Sequence, residues 1–78
     1  MPTKIAAYQL RKAKQIAAFL LECRDQSTLG RLECAKVVAI MTSDQWRTVT
    51  MAAGVPVADL DAKAAVLALL RGRAIHAV

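Results

Sequence analysis

Few residues in this chain could do covalent or metal chemistry: one histidine, His76, two serines, Ser27 and Ser43, and two cysteines, Cys23 and Cys34. A nucleophile needs a base within reach and a third group to orient that base. His76 lies in the apolar tail after Gly72, and both serines stand where helix caps and turns want a hydroxyl. The spacing of Cys23, Cys34 and His76 matches no zinc arrangement, and two cysteines are too few for a disulfide framework. Phosphate loops and dinucleotide fingerprints are absent. This inventory predicts a protein that is not an enzyme and takes no metal or cofactor. Its cysteines read as buried free thiols, which suits a reducing cytoplasm.

Charge is the chemistry that remains. The chain carries a formal net charge of +5 and a pI of about 9.8. The excess is not spread evenly: Lys4, Arg11, Lys12 and Lys14 open the chain with no acid among them, Arg71 and Arg73 add charge near its end, and the middle is close to neutral. Such a balance fits an acidic protein or a polyanion as partner. The helix dipole sharpens the point, because acids favour a helix start and bases favour its end. A helix beginning at Thr3 would put Lys4 in its first turn and Glu22 and Asp25 at its far end, against the dipole. Lys4 and Arg11 would then share a stripe at i, i+7, with Tyr8, Lys12 and Gln15 on one shoulder and Lys14 on the other. Lys4, Tyr8, Arg11, Lys12, Lys14 and Gln15 are therefore the expected partner-binding face. The opposing interpretation is an ordinary solvated face that keeps an amphipathic helix soluble.

A second set of side chains suits nucleic acid. Gln45, Arg47 and Thr48 are residue types that read base edges, and Arg71 and Arg73 could touch phosphates. They would act through a helix-turn-helix made of helix two, the turn near Thr42 and helix three. Placing Ala39 at the fifth motif position makes Val49 the fifteenth and Ala52 the eighteenth. The same register puts Ser43 where glycine is usual and Asp44 where an apolar residue is expected.

Both sets depend on helices. Sixteen alanines, with glycine and proline only at apparent boundaries, favour closely packed helices over strands. Thr3 caps a first, amphipathic helix running to about Arg24 or Asp25. Asp25 to Thr28 supply turn chemistry before a second helix, Leu29 to about Met41, apolar on nearly every side and so expected in the middle of the fold. Thr42 and Gln45 form a capping box for a third helix, with Met41 and Trp46 as a hydrophobic staple. That helix stops at Ala53, with Gly54 left-handed and Pro56 preventing continuation. Asp59 or Asp61 starts a fourth, with Leu60, Ala64, Leu67, Ala68 and Leu70 inward until Gly72. Arg73 to Val78 either extends it or frays.

The expected fold is all-α: one compact four-helix domain over residues 1–78, with short connections and a helix-turn-helix-like substructure. A domain this small buries only about 60% of its unfolded surface, so a homodimer would add stability. No apolar run is long enough to cross a bilayer, which points away from a membrane. The start is also a poor signal peptide: its apolar stretch is short, and Glu22 precedes Cys23 directly. In size, helix content and lack of catalytic groups the chain is similar to the small adaptor, inhibitor and regulator proteins that phages and other mobile elements encode. No motif carries that likeness. The function expected from these features is that of an inhibitor or regulator, docking its basic helix face onto an acidic or nucleic-acid-binding surface of a larger protein. The alternative is a transcriptional regulator that binds DNA through helix three.

Overall fold

A computed structural model describes residues 3–22, 26–55, 60–73 and 75–77. Four helices, α1 (Ala7–Leu21), α2 (Thr28–Ala39), α3 (Ser43–Ala52) and α4 (Leu60–Leu70), stand between two short strands, β1 (Thr3–Ile5) and β2 (Ile75–Ala77). The fold is all-α in its architecture, and the strands add a two-stranded parallel ribbon.

That ribbon corrects the expected start of the first helix. Thr3 does not cap it: Thr3, Lys4 and Ile5 pair with Ile75, His76 and Ala77. Thr3 and Ile5 are β-branched and fit a strand, so a distant partner wins over a local cap. The helix begins after Ala6, whose N–H donates to Gln9 Oε1 at 3.2 Å. This is half of a capping box, since an alanine side chain has no acceptor to supply the other half. Lys4 is therefore not in a first helical turn, and its expected stripe with Arg11 does not form. The expected extension of α4 likewise does not form, because Gly72 stops the helix at φ 69° and Ile75–Ala77 forms β2, while Ala74 and Val78 lie outside the described residues. At its far end α1 stops at Leu21, and the expected limit at Arg24 or Asp25 lies outside the described residues.

The third helix begins as its local signals predict. Thr42 N–H donates to Gln45 Oε1 at 2.9 Å, and Gln45 N–H donates to Thr42 Oγ1 at 3.2 Å. Trp46 is buried and Met41 packs against the same core. At the other end Gly54 N–H donates to Met51 O and Val55 N–H to Thr50 O, the paired bonds of a Schellman ending. Gly54 holds φ at 79°, and Val55 buries its side chain behind it. Gly54→Ala should lower stability by about 1–2 kcal/mol, the cost of placing a Cβ in the left-handed region. Urea unfolding followed by circular dichroism checks this.

The centre of the fold is α4, not α2. Beyond Asp61, Lys63 is the only charged residue of α4, and Ala62, Ala65, Val66, Ala68 and Leu70 are all buried, chiefly against α1 and α2. Ala64, expected inward, is exposed, and Leu67 is half-buried. By contrast, α2 carries Arg31, Glu33 and Lys36 along its length. It buries Cys34, Ala35 and Val38 and leaves Leu29, Leu32 and Val37 outside, with Ile40 just beyond its end. Its cap is Ser27, whose Oγ accepts from Gly30 N–H at 3.3 Å.

The last carbonyls of a helix lack partners inside it, and here side chains supply them. Gln26 Nε2 donates to Leu21 O at 3.2 Å beyond α1, and Lys63 Nζ reaches Met41 O at 2.9 Å beyond α2. Gln15 Nε2 donates to Ala53 O at 2.8 Å beyond α3, and Arg31 Nη2 to Leu69 O at 2.9 Å in the last turn of α4. Three of these bonds tie one helix to the end of another, and the two from cations also complement the negative end of the dipole.

Candidate partner-binding surface

Helical spacing puts the surviving members of the basic set on the face of α1 turned away from the core. Ala13, Ile16, Ala17 and Leu21 are buried along one side, which forces Tyr8, Arg11, Lys14 and Gln15 outward and leaves Lys12 half-buried at the edge. Lys12 Nζ lies 5.3 Å from the centre of the Tyr8 ring, a cation–π contact one turn apart on the helix. Tyr8 is 53% exposed, and Phe19 joins the same shoulder as a second exposed aromatic. Phe19 is not among the residues expected at this face, although its i+7 spacing from Lys12 is the signal that places it there.

Two members of the set behave differently from expectation. Lys4 sits in β1, its backbone in register with His76. Gln15 is exposed but spends its amide on Ala53 O, so it fastens α1 to the end of α3. The face that remains for a partner is Tyr8, Arg11, Lys12 and Lys14, bordered by Phe19.

Side-chain pairing separates this face from the cations of α2 and α4, while exposed Arg47, Arg71 and Arg73 likewise have no carboxylate within salt-bridge distance among the described residues. Among the described residues the only salt bridge joins Lys36 to Glu33 at 3.3 Å on α2. Arg31 and Lys63 are engaged with helix-end carbonyls. Arg11, Lys12 and Lys14 have no carboxylate within salt-bridge distance among the described residues.

The nucleic-acid set is not gathered into one surface. Gln45 is committed to its capping box, and Thr48 Oγ1 donates to Asp44 O at 3.0 Å. Both line a largely apolar groove of about 590 Å³ with Val37, Ile40, Met41 and Val49. Arg71 lies at the opposite end of α2, in a cleft of about 230 Å³ beside Thr28 and Arg31. Arg47 and Arg73 are exposed. In the expected register Ala39 and Ala52 should point inward, yet both are exposed, while Trp46 and Thr50 hold the buried positions of α3.

Of the residues weighed for catalysis or metal binding, Cys34 is a buried free thiol, His76 lies in β2, and Cys23 falls outside the described residues. Ser27 caps α2 and Ser43 opens α3. Among the described residues no three His, Cys, Asp or Glu side chains are grouped so as to hold a metal ion, and no helix is long and apolar enough to cross a membrane. No family model matches the chain, and no curated protein or solved structure does so either.

Proposed function

We propose that this is a non-catalytic binding protein that docks the cationic face of α1 onto an anionic surface of a larger protein or nucleoprotein, and so blocks or modulates it. The observation that carries this reading is the grouping of Arg11, Lys12 and Lys14 on one helix without a carboxylate partner among the described residues, where the cations of α2 and α4 are engaged. Unpaired charge on a rigid helix speeds encounter with an opposite field and rejects like-charged surfaces. Tyr8 and Phe19 at its border supply flat apolar area, the kind of contact that governs how long a complex lasts.

The test is affinity capture from the native host with the wild-type chain and with a variant carrying Arg11→Glu, Lys12→Glu and Lys14→Glu. These side chains are at the surface, so the variant should keep its helical circular dichroism. The wild type should retain a partner that the variant loses by at least about tenfold, roughly 1.4 kcal/mol of binding. A folded variant that retains the same partner removes the proposal. Duplex DNA titrated over a range of salt supplies the competing outcome. Steeply salt-dependent binding that survives the α1 changes and disappears with Arg47→Ala would assign the function to α3.

A further inference from the structure

We infer that the outer face of α2 is a self-complementary surface on which a second copy of this chain packs antiparallel, making a two-fold homodimer. The face is apolar where a lone chain has no use for it: Leu29 is 69% exposed and Ile40 is 82% exposed, with Leu32 and Val37 also exposed between them. Beside its far end lies the groove of about 590 Å³ lined by Met41, Val49 and their neighbours.

What selects a second copy over any other occupant is the order of these residues. Leu29 and Ile40 are equally far from a point midway between Cys34 and Ala35; so are Leu32 and Val37, and so are Glu33 and Lys36. At 3.6 residues per turn, Leu29 and Ile40 fall within about 20° of each other on the centre line of the exposed face. Glu33 and Lys36 lie about 30° to either side of that line, and Leu32 and Val37 form its outer borders. A two-fold axis through the midpoint, perpendicular to the helix, therefore sets Leu29 of each copy opposite Ile40 of the other and Glu33 opposite Lys36. Leu32 comes to lie over the aliphatic stem of Lys36 in the second copy, and Val37 over that of Glu33. In an isologous interface residue i meets j while j meets i, and this pattern satisfies that condition with apolar against apolar and negative against positive. A parallel arrangement in the same register would oppose Glu33 to Glu33 and Lys36 to Lys36.

The Glu33–Lys36 bridge at 3.3 Å within each helix then joins its symmetry mate in a four-charge network. Leu29 of one copy reaches the Ile40 end of the other, where the groove formed with Met41 and Val49 receives it. The cationic face of α1 takes no part in this contact, so the inference stands apart from the proposed function.

Sedimentation equilibrium on the full chain tests the dimer. Wild type should tend to twice the 8.4 kDa chain mass as concentration rises. Ile40→Glu should be monomeric with unchanged helical circular dichroism. Glu33→Lys opposes two lysines across the axis and should weaken association by about tenfold or more. Combining it with Lys36→Glu should restore wild-type association, because the swap recreates both pairs. A wild-type chain that stays monomeric up to about 1 mM, the weak end of measurable affinity, overturns the inference. A dimer indifferent to Ile40→Glu, or a double swap that fails to recover what Glu33→Lys loses, does so equally.

Discussion

Trp46→Ala should remove a large share of the stability of this protein, about 3–5 kcal/mol. A chain of 78 residues at 0.05 to 0.15 kcal/mol per residue has about 4–12 kcal/mol in total, and truncating a buried aromatic side chain to alanine costs about 3–5 kcal/mol. Trp46 is 2% exposed and is the largest of the fully buried side chains, set where the start of α3 meets the shared core. Its Nε1–H has no hydrogen-bond partner among the described residues, which carries a desolvation cost of about 1–3 kcal/mol. Trp46→Phe deletes that orphan donor while keeping a ring in place, so its loss should be clearly smaller than that of the alanine variant. Urea unfolding followed by far-ultraviolet circular dichroism measures both, since the only tryptophan reporter is gone. Equal losses for the two variants would show that the indole nitrogen is not a burden on the fold.

Ala65→Leu is the second large effect, and it tests where the centre of the molecule lies. Ala65 is 0% exposed on α4, and Ala13 and Ala17 are buried small residues of α1, the helix that packs most extensively against α4. Alanines let two helix backbones approach, and three added carbons at such a seam force side chains off their rotamers or push the helices apart. The expected loss is about 1–3 kcal/mol. Ala64→Leu, one residue earlier and exposed, should stay within about 0.5 kcal/mol of wild type in the same experiment. Similar losses at the two positions would mean that α4 is not oriented as described.

How much of this was readable beforehand depends on how far away the deciding partner sits. The capping box of Thr42 and Gln45 and the left-handed ending at Gly54 are settled within a few residues, and the sequence alone identifies them. The start of α1 is settled by Ile75–Ala77, which no local rule could bring to Thr3–Ile5. The expectation that α2 is the central helix fails for a similar reason. Both α2 and α4 are rich in apolar residues, and only the packed structure shows that the outer face of α2 is left unused while α4 is nearly enclosed. For the candidate surface, periodicity correctly put Arg11 and Lys14 on the side of α1 opposite the core. It could not foresee that Gln15 is claimed by Ala53.

The parallel pairing of Thr3–Ile5 with Ile75–Ala77 has a consequence for how the fold assembles. Parallel neighbours cannot be joined by a tight turn, and here all four helices serve as the crossover. Closing so wide a loop is entropically unfavourable until the intervening helices have docked, so these strands should zip together last on folding and separate first on unfolding. The ribbon thus acts as a latch whose closure reports that the helical core beneath it is whole.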